Sequence, residues 1–271
     1  MSAPVRLAVL GDPLTYTLSP RLHRAGCAAL GLACESVALR TPAAELESRL
    51  LELAEQGFLG CNLTHPLKEA ALERVTTASE AAQRSRSVNT IAFHADGRRG
   101  ETTDGAGFVE LLHAWGVDPA RQRVLLLGAG GSARSLAVAL YGAGCREVAV
   151  SVRRPAAAVP RWPVGIDGRF VGWRTDEEAA ALAASTLVVN CTPLAGDEAP
   201  APLERIAHGA RLVDLTYGEE LTSWVKAARA RGLDAIDGLG LLVHQARRSL
   251  GLWLERDVPV EPLAAAVGWP R

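Results

Sequence analysis

A four-residue apolar run, Val124-Leu125-Leu126-Leu127, ends abruptly in Gly128-Ala129-Gly130-Gly131-Ser132-Ala133-Arg134. No other stretch of the 271 residues restricts the fold so tightly. The run is short and stopped by glycine, so it reads as a strand. Helical patterning follows, and the order strand, turn, helix recurs, with further strands expected at 147–152, 186–190, 211–215 and 234–236. Strands separated by helices pair in parallel, which predicts an α/β chain containing a doubly wound sheet. The glycines fit G-x-G-x-x-A. Gly128 permits the tight turn, Gly130 lets backbone approach a pyrophosphate, and Ala133 lets helix and strand pack closely. The helix N-terminus adds N–H groups and a positive dipole for phosphates. Gly128, Ala129, Gly130, Gly131, Ser132 and Ala133 are therefore the expected lining of a dinucleotide site in a Rossmann-type domain. The alternative is a turn that only joins strand to helix.

The next strand discriminates between cofactors. An NAD site usually carries an acid for the ribose hydroxyls about 20 residues on. Here Val148-Ala149-Val150-Ser151-Val152 ends in Arg153-Arg154, with no acid. Two guanidiniums suit a 2′-phosphate because each presents a fixed fork of donors. The expectation is NADP, held at its adenosine end by Arg153 and Arg154; the alternative is a pair of ordinary exposed arginines.

The length accommodates two domains. In the first third, strands are expected at 6–10, 34–40, 58–61, 88–93 and 99–103, with Gly97 turning between the last two. Helices are expected from the cap-like Ser19-Pro20 toward residue 30, and over 43–56 by the spacing of Leu46, Leu50 and Leu53. A helix at 105–115 bridges to the second domain. Residues 241–256 form a last long helix, and with 261–267 they fold back onto the first domain. The expected division is 1–104 joined by 241–271, against 105–240.

Composition excludes several classes. A net charge of −1 argues against a nucleic-acid protein. The five cysteines (Cys27, Cys34, Cys61, Cys145, Cys191) have neither zinc nor disulfide-framework spacing. The six histidines show no metal-ligand spacing either, so no metal is expected. No uncharged apolar run reaches the ~18 residues of a membrane span. The N-terminus lacks a basic-then-apolar leader, which predicts a cytoplasmic location.

Chemistry in the first domain centres on Asn62-Leu63-Thr64-His65-Pro66-Leu67-Lys68. It places an amide, a hydroxyl and an amine around a proline, at the carboxyl end of a strand, where open α/β sheets collect ligands. An amine buried near a cationic ring has its pKa lowered, which suits general acid–base work. Asp104 is placed to orient Lys68. The bland alternatives are Thr64 as a cap, Lys68 as a solvated side chain, and Asp104 as the N-cap of the 105–115 helix.

Together these residues resemble the shikimate dehydrogenase family over nearly the whole chain. Asn62-Leu-Thr64-His-Pro66-Leu-Lys68 is similar to its N-[VL]-T-x-P-x-K segment, which implies Lys68 as the catalytic lysine and Thr64 as a substrate contact. Ser87-Val88-Asn89-Thr90 resembles A-V-N-T, implying that Asn89 binds substrate hydroxyls. Thr103-Asp104-Gly105 resembles the end of N-T-D-G, which pairs Asp104 with Lys68. Thr17-Leu18-Ser19-Pro20 resembles S-x-S-P, whose hydroxyls hold the substrate carboxylate. Tyr217 and Gln245 fall where that family has substrate-facing residues, and Arg153 falls on the arginine of its N-R-T cofactor motif. The resemblance also implies Thr192, Leu215 and Gly238 as cofactor contacts. The implied fold is an N-terminal α/β substrate domain plus the NADP-binding domain, with a cleft between them that closes on ligand. The implied activity is reversible reduction of 3-dehydroshikimate to shikimate with NADPH, in a monomer or homodimer that binds neither nucleic acid nor membrane.

None of the departures removes a proton-transfer group. Thr17 replaces a serine, Thr102 an asparagine, and Leu241 a methionine. Val152 and Arg154 flank Arg153 in place of Asn and Thr, and Cys191-Thr192-Pro193 departs from the usual Ser/Thr-x-Gly pattern. Thr17 leaves quinate or aminoshikimate open as substrate, and the altered arginine pair leaves NADP strictness open. A non-catalytic NADP sensor is the rival of another class; a structural module has only apolar content in its favour.

Overall fold

The computed structural model describes residues 3–194 and 199–271. The chain divides into two units, Met1–Gly107 with Leu242–Pro270, and Phe108–Leu241 with Arg271. Both divisions fall inside continuous helices, Thr103–Ala114 and Leu239–Leu254, three residues and one residue beyond the points expected from the order of elements.

The first unit is built on a six-stranded mixed sheet. Its strands are β1 (Val5–Gly11), β2 (Cys34–Arg40), β3 (Gly60–Leu63), β4 (Thr77–Ala78), β5 (Thr90–His94) and β6 (Gly97–Glu101). They lie in the order β2-β1-β3-β5-β6-β4. β1 pairs in parallel with β2 and β3, so the carboxyl ends of all three share one edge. β5 and β6 form an antiparallel hairpin beside β3. Its turn is Ala95-Asp96; Gly97 opens β6 rather than forming the turn, at φ +138°. A Cβ on Gly60 would lie 2.2 Å from Trp253 Nε1 and 2.3 Å from the Ile91 carbonyl. Glycine there lets Trp253 donate to Ile91 O at 2.9 Å, which ties the Leu239–Leu254 helix to β5.

The second sheet is wholly parallel. Its strands are β7 (Arg123–Leu127), β8 (Glu147–Val152), β9 (Arg169–Gly172), β10 (Leu187–Asn190), β11 (Arg211–Asp214) and β12 (Asp234–Ile236). Read from one edge the order is β9-β8-β7-β10-β11-β12. The chain therefore leaves β7 in one direction and returns at β10 in the other. This is the Rossmann order, and the crevice at the carboxyl ends of β7 and β10 is its switch point, where such sheets bind ligands. Leu125, Leu127, Val188 and Leu212 fill the core beneath, on the order of 1.5–3 kcal/mol for each fully buried side chain. β4 and β9 have no counterpart among the expected strands, because neither is apolar enough to stand out.

Candidate active site

In the first unit the strand leading into the reactive segment runs two residues later than the apolar run suggests. The strand is Gly60–Leu63, not 58–61, so Asn62 lies within β3 and is buried. Hydrogen bonding explains the shift: Leu59 and Thr64 donate to Arg6 O and Leu10 O of β1, which bracket the paired residues. The chain then turns at Thr64-His65-Pro66 into a one-turn helix, Leu67–Ala70. Thr64 is not a side-chain cap for that helix; its backbone carbonyl accepts from Leu67 N–H at 2.9 Å.

Lys68 Nζ donates to Asp104 Oδ2 at 2.5 Å, with 17% and 7% of the two side chains exposed. The helix that carries Asp104 begins at Thr103, so Asp104 sits in the first turn and is not its N-cap. An anion there meets the favourable end of the helix dipole. The other carboxylate oxygen accepts from Asn89 Nδ2 at 2.7 Å. Asn89 is held in turn: its Oδ1 accepts from Thr103 N–H at 2.8 Å and Thr90 Oγ1 at 3.0 Å. Gln245 Oε1 stands 3.4 Å from both Asn89 Nδ2 and Thr103 Oγ1. Lys68, Asp104, Asn89 and Gln245 thus form one connected group.

The group is anchored by Asn62 of the central motif together with Ser249 and His23, which sequence reasoning did not single out. Ser249 Oγ meets Thr90 Oγ1 at 2.8 Å and Thr103 Oγ1 at 3.2 Å, and accepts from Asn62 Nδ2 at 3.0 Å. Asn62 Nδ2 also donates to the Asn89 carbonyl at 3.1 Å. That carbonyl can only accept, so the amide orientation is fixed and Asn62 Oδ1 faces His23 Nε2 at 2.9 Å. Nε2 therefore carries the proton, and Nδ1 accepts from Ser36 Oγ at 2.8 Å. Complete burial pushes the His23 pKa down to about 4, and the imidazole is neutral. Signals for two of these residues existed. Ser249 is four residues from Gln245 and His23 four from Ser19, so each shares a helix face with an expected contact.

Thr17 and Ser19 follow β1 at the same sheet edge. Their helix is Ser19–Ala29 with Leu18 at the N-cap, which corrects the capping role expected of Ser19. Leu18 takes that place because its carbonyl already accepts from Arg21 and Leu22 N–H. Thr17 Oγ1 accepts from Ser19 N–H at 3.2 Å, so the two residues are adjacent and hydrogen-bonded.

In the second unit, Gly128 has φ +100° and its absent Cβ would meet Thr192 Cγ2 at 3.0 Å. Gly130 is the N-cap of the Gly131–Gly142 helix, without a side-chain cap, and among the described residues a Cβ there would meet nothing within 4 Å. Ala133, in the first turn of that helix, is fully buried. An uncapped helix N-terminus facing open space beside a glycine turn fits a dinucleotide pyrophosphate. Arg153 and Arg154 are both exposed just past β8. The acid that reaches β8 is Glu178, which is buried, accepting from Ser151 Oγ and, at 2.8 Å, from Arg174 N–H.

At the ends of β10 and β11, Asn190 Oδ1 accepts from Thr192 Oγ1 at 2.6 Å, and Asn190 Nδ2 donates to Asp214 Oδ1 at 2.9 Å. Asp214 Oδ2 is buried with no hydrogen-bond partner among the described residues. Gly238 donates to Thr216 O at 3.0 Å, and a Cβ on it would lie 2.2 Å from Leu215 O. Leu215 and Tyr217 are half-buried in the segment after β11.

A family model described as the shikimate dehydrogenase substrate binding domain matches residues 9–91. A curated "Shikimate dehydrogenase (NADP(+))" of Acidiphilium cryptum is 39% identical over 258 residues, covering 93% of this chain and 92% of the relative. The chain belongs to the shikimate dehydrogenase family. A second relative of the same name, from Rubrobacter xylanophilus, is 36% identical and covers 96% of this chain and 94% of its own length. The crystal structure of Thermus thermophilus shikimate 5-dehydrogenase in complex with NADP(H) and shikimate is similar at TM-score 0.86. Its identity is 34%, with 97% of this chain and 98% of that one covered. Among the described residues, no helix is long and apolar enough to cross a membrane. No group of three or more His, Cys, Asp or Glu among them is arranged to hold a metal ion.

Proposed function

We propose that this protein is an NADP-dependent shikimate dehydrogenase, reversibly reducing the 3-keto group of 3-dehydroshikimate to shikimate. The observation that carries the reading is the 2.5 Å Lys68–Asp104 pair, embedded in the polar group of Asn89 and Gln245. When bound, NADPH supplies the hydride. Lys68 hands a proton from Nζ to the carbonyl oxygen as negative charge develops there, and takes it back in the oxidative direction. Asp104 aims Lys68 and accepts a hydrogen bond from the substrate hydroxyl. Thr17 and Ser19 hold the carboxylate, while Thr64, Asn89, Gln245 and Tyr217 fix the rest of the ring, which turns proximity into rate.

Gly128, Ala129, Gly130, Gly131, Ser132 and Ala133 would hold the cofactor's pyrophosphate, and Arg153 and Arg154 its 2′-phosphate. Thr192, Leu215 and Gly238 follow β10, β11 and β12, the second mononucleotide-binding half of such a fold, and would hold the nicotinamide half. Residues 1–104 with 241–271 are the substrate domain and 105–240 the cofactor domain of a cytoplasmic monomer or homodimer.

Initial rates with shikimate and quinate, each with NADP and NAD, test this directly. The expected result is a clear maximum for shikimate with NADP. Faster turnover of quinate would move the assignment to the related activity that Thr17 leaves open. NADP binding without turnover of either acid would leave only a sensor.

A further inference from the structure

The segment after β11 carries two expected ligand contacts, Leu215 and Tyr217, yet it makes little regular structure of its own. Leu215 donates to Asn190 O at 3.0 Å and Thr216 N–H to Asp214 Oδ1 at 3.1 Å. Beyond them, three consecutive carbonyls turn to one side chain. Arg271 donates through Nη2 to Gly218 O at 3.1 Å and Glu220 O at 2.9 Å, and through Nη1 to Glu219 O at 2.7 Å. The same guanidinium donates through Nε, at 3.1 Å, and through Nη2 to Asp237 Oδ2. The Asp237 side chain is 2% exposed. Its other oxygen accepts from Leu239 N–H at 3.2 Å. Arg271 is itself fixed, since its backbone carbonyl accepts from Arg229 Nη2 at 2.9 Å.

One planar fork therefore bridges the 218–220 backbone and the Asp237-Gly238 turn. Gly238 in turn bonds Thr216 O, with no room for a side chain against Leu215 O. We propose that Arg271 is a positioning residue for the cofactor: by clamping these two backbone segments it holds Leu215 and Gly238 where the nicotinamide half of NADP binds. The proposal rests on the cofactor reading above. A lysine is a point charge on a flexible stem and cannot reproduce a five-donor planar fork.

The test uses the full chain and two probes, NADPH followed by its fluorescence and adenosine 2′,5′-bisphosphate followed by calorimetry. The second probe has the adenosine and 2′-phosphate groups but no nicotinamide. Arg271→Ala is expected to weaken NADPH by about tenfold, as for a contact group displaced from its position, and the bisphosphate by less than about twofold. Arg271→Lys and Asp237→Asn, which disturb folding less, should show the same split at smaller size. Equal weakening of both probes, reduced binding stoichiometry alone, or full affinity in Arg271→Lys would overturn the clamp. Wild-type protein that binds neither probe would overturn the cofactor reading and the clamp with it. Loss of the split alone would leave the cofactor reading standing.

Discussion

The two units prepare their sites by opposite means. In the first, the candidate groups are side chains, each oriented by another inside the core: Lys68 by Asp104, Asp104 by Asn89, Asn89 by Thr103 and Thr90, and these by Ser249. In the second, the candidate surface is backbone, a glycine turn at φ +100° and a helix N-terminus where, among the described residues, a Cβ on Gly130 would meet no neighbour. Proton transfer needs particular atoms at fixed positions, so their ordering is built into the folded core. A pyrophosphate needs N–H groups and the absence of side chains. The first site should accordingly fail when an atom is removed, and the second when one is added.

Lys68→Ala provides the largest expected effect. It removes the proton donor and should lower kcat by about 10²–10⁴ with little change in circular dichroism. Asp104→Asn should lower kcat as well, and the double variant should be little worse than Lys68→Ala, because the two act as one unit. Near-normal turnover in Lys68→Ala, or strictly additive losses, would remove the pair from the mechanism.

How far the sequence reveals this contrast depends on chain distance. Lys68 and Asp104 are legible because each sits in a compact motif at a strand end. The glycine turn is legible because its mechanism is local. Asn62 is visible as a motif residue, but its burial within β3 depends on pairing with β1, and that register is set by backbone bonds to Arg6 and Leu10. Ser249 joins Asn62 across 187 residues and Arg271 joins Asp237 across 34. Serine on a helix and arginine near a chain end are common, so nothing local marks either partner. Where strand boundaries shift, by one or two residues, the reason is the same: hydrogen-bond register, not hydropathy, ends a strand.

His23 sharpens the comparison through pH. Its folded pKa is about 4, below the ordinary 6.5, because burial disfavours the imidazolium. The unfolded chain takes up a proton below about 6.5 that the folded chain refuses until about 4. The stability due to neutral His23 is thus fully present above pH 6.5 and is lost as pH falls toward 4, on the order of 3 kcal/mol in all. Urea unfolding of wild type and His23→Gln checks this: the wild type should lose more stability across that window. Parallel pH curves would mean that the His23–Asn62 bond is not held in the neutral form.

Gly130→Ala is the smallest effect and the sharpest test of the second site. The residue is an N-cap at φ −72°, a conformation alanine adopts freely, and the added methyl meets no atom of the described residues within 4 Å. The melting temperature should therefore stay near that of wild type, since no contact or backbone strain is introduced. NADPH affinity should fall by about tenfold or more, as a methyl that keeps phosphate from the helix N–H groups forfeits a charge-assisted hydrogen bond. The paired readout separates the two possible roles of the turn. A turn that only joins β7 to its helix would leave both quantities unchanged. A turn that cradles phosphate changes affinity alone, and Lys68→Ala should do the reverse, lowering turnover by about 10²–10⁴ while NADPH binds as before.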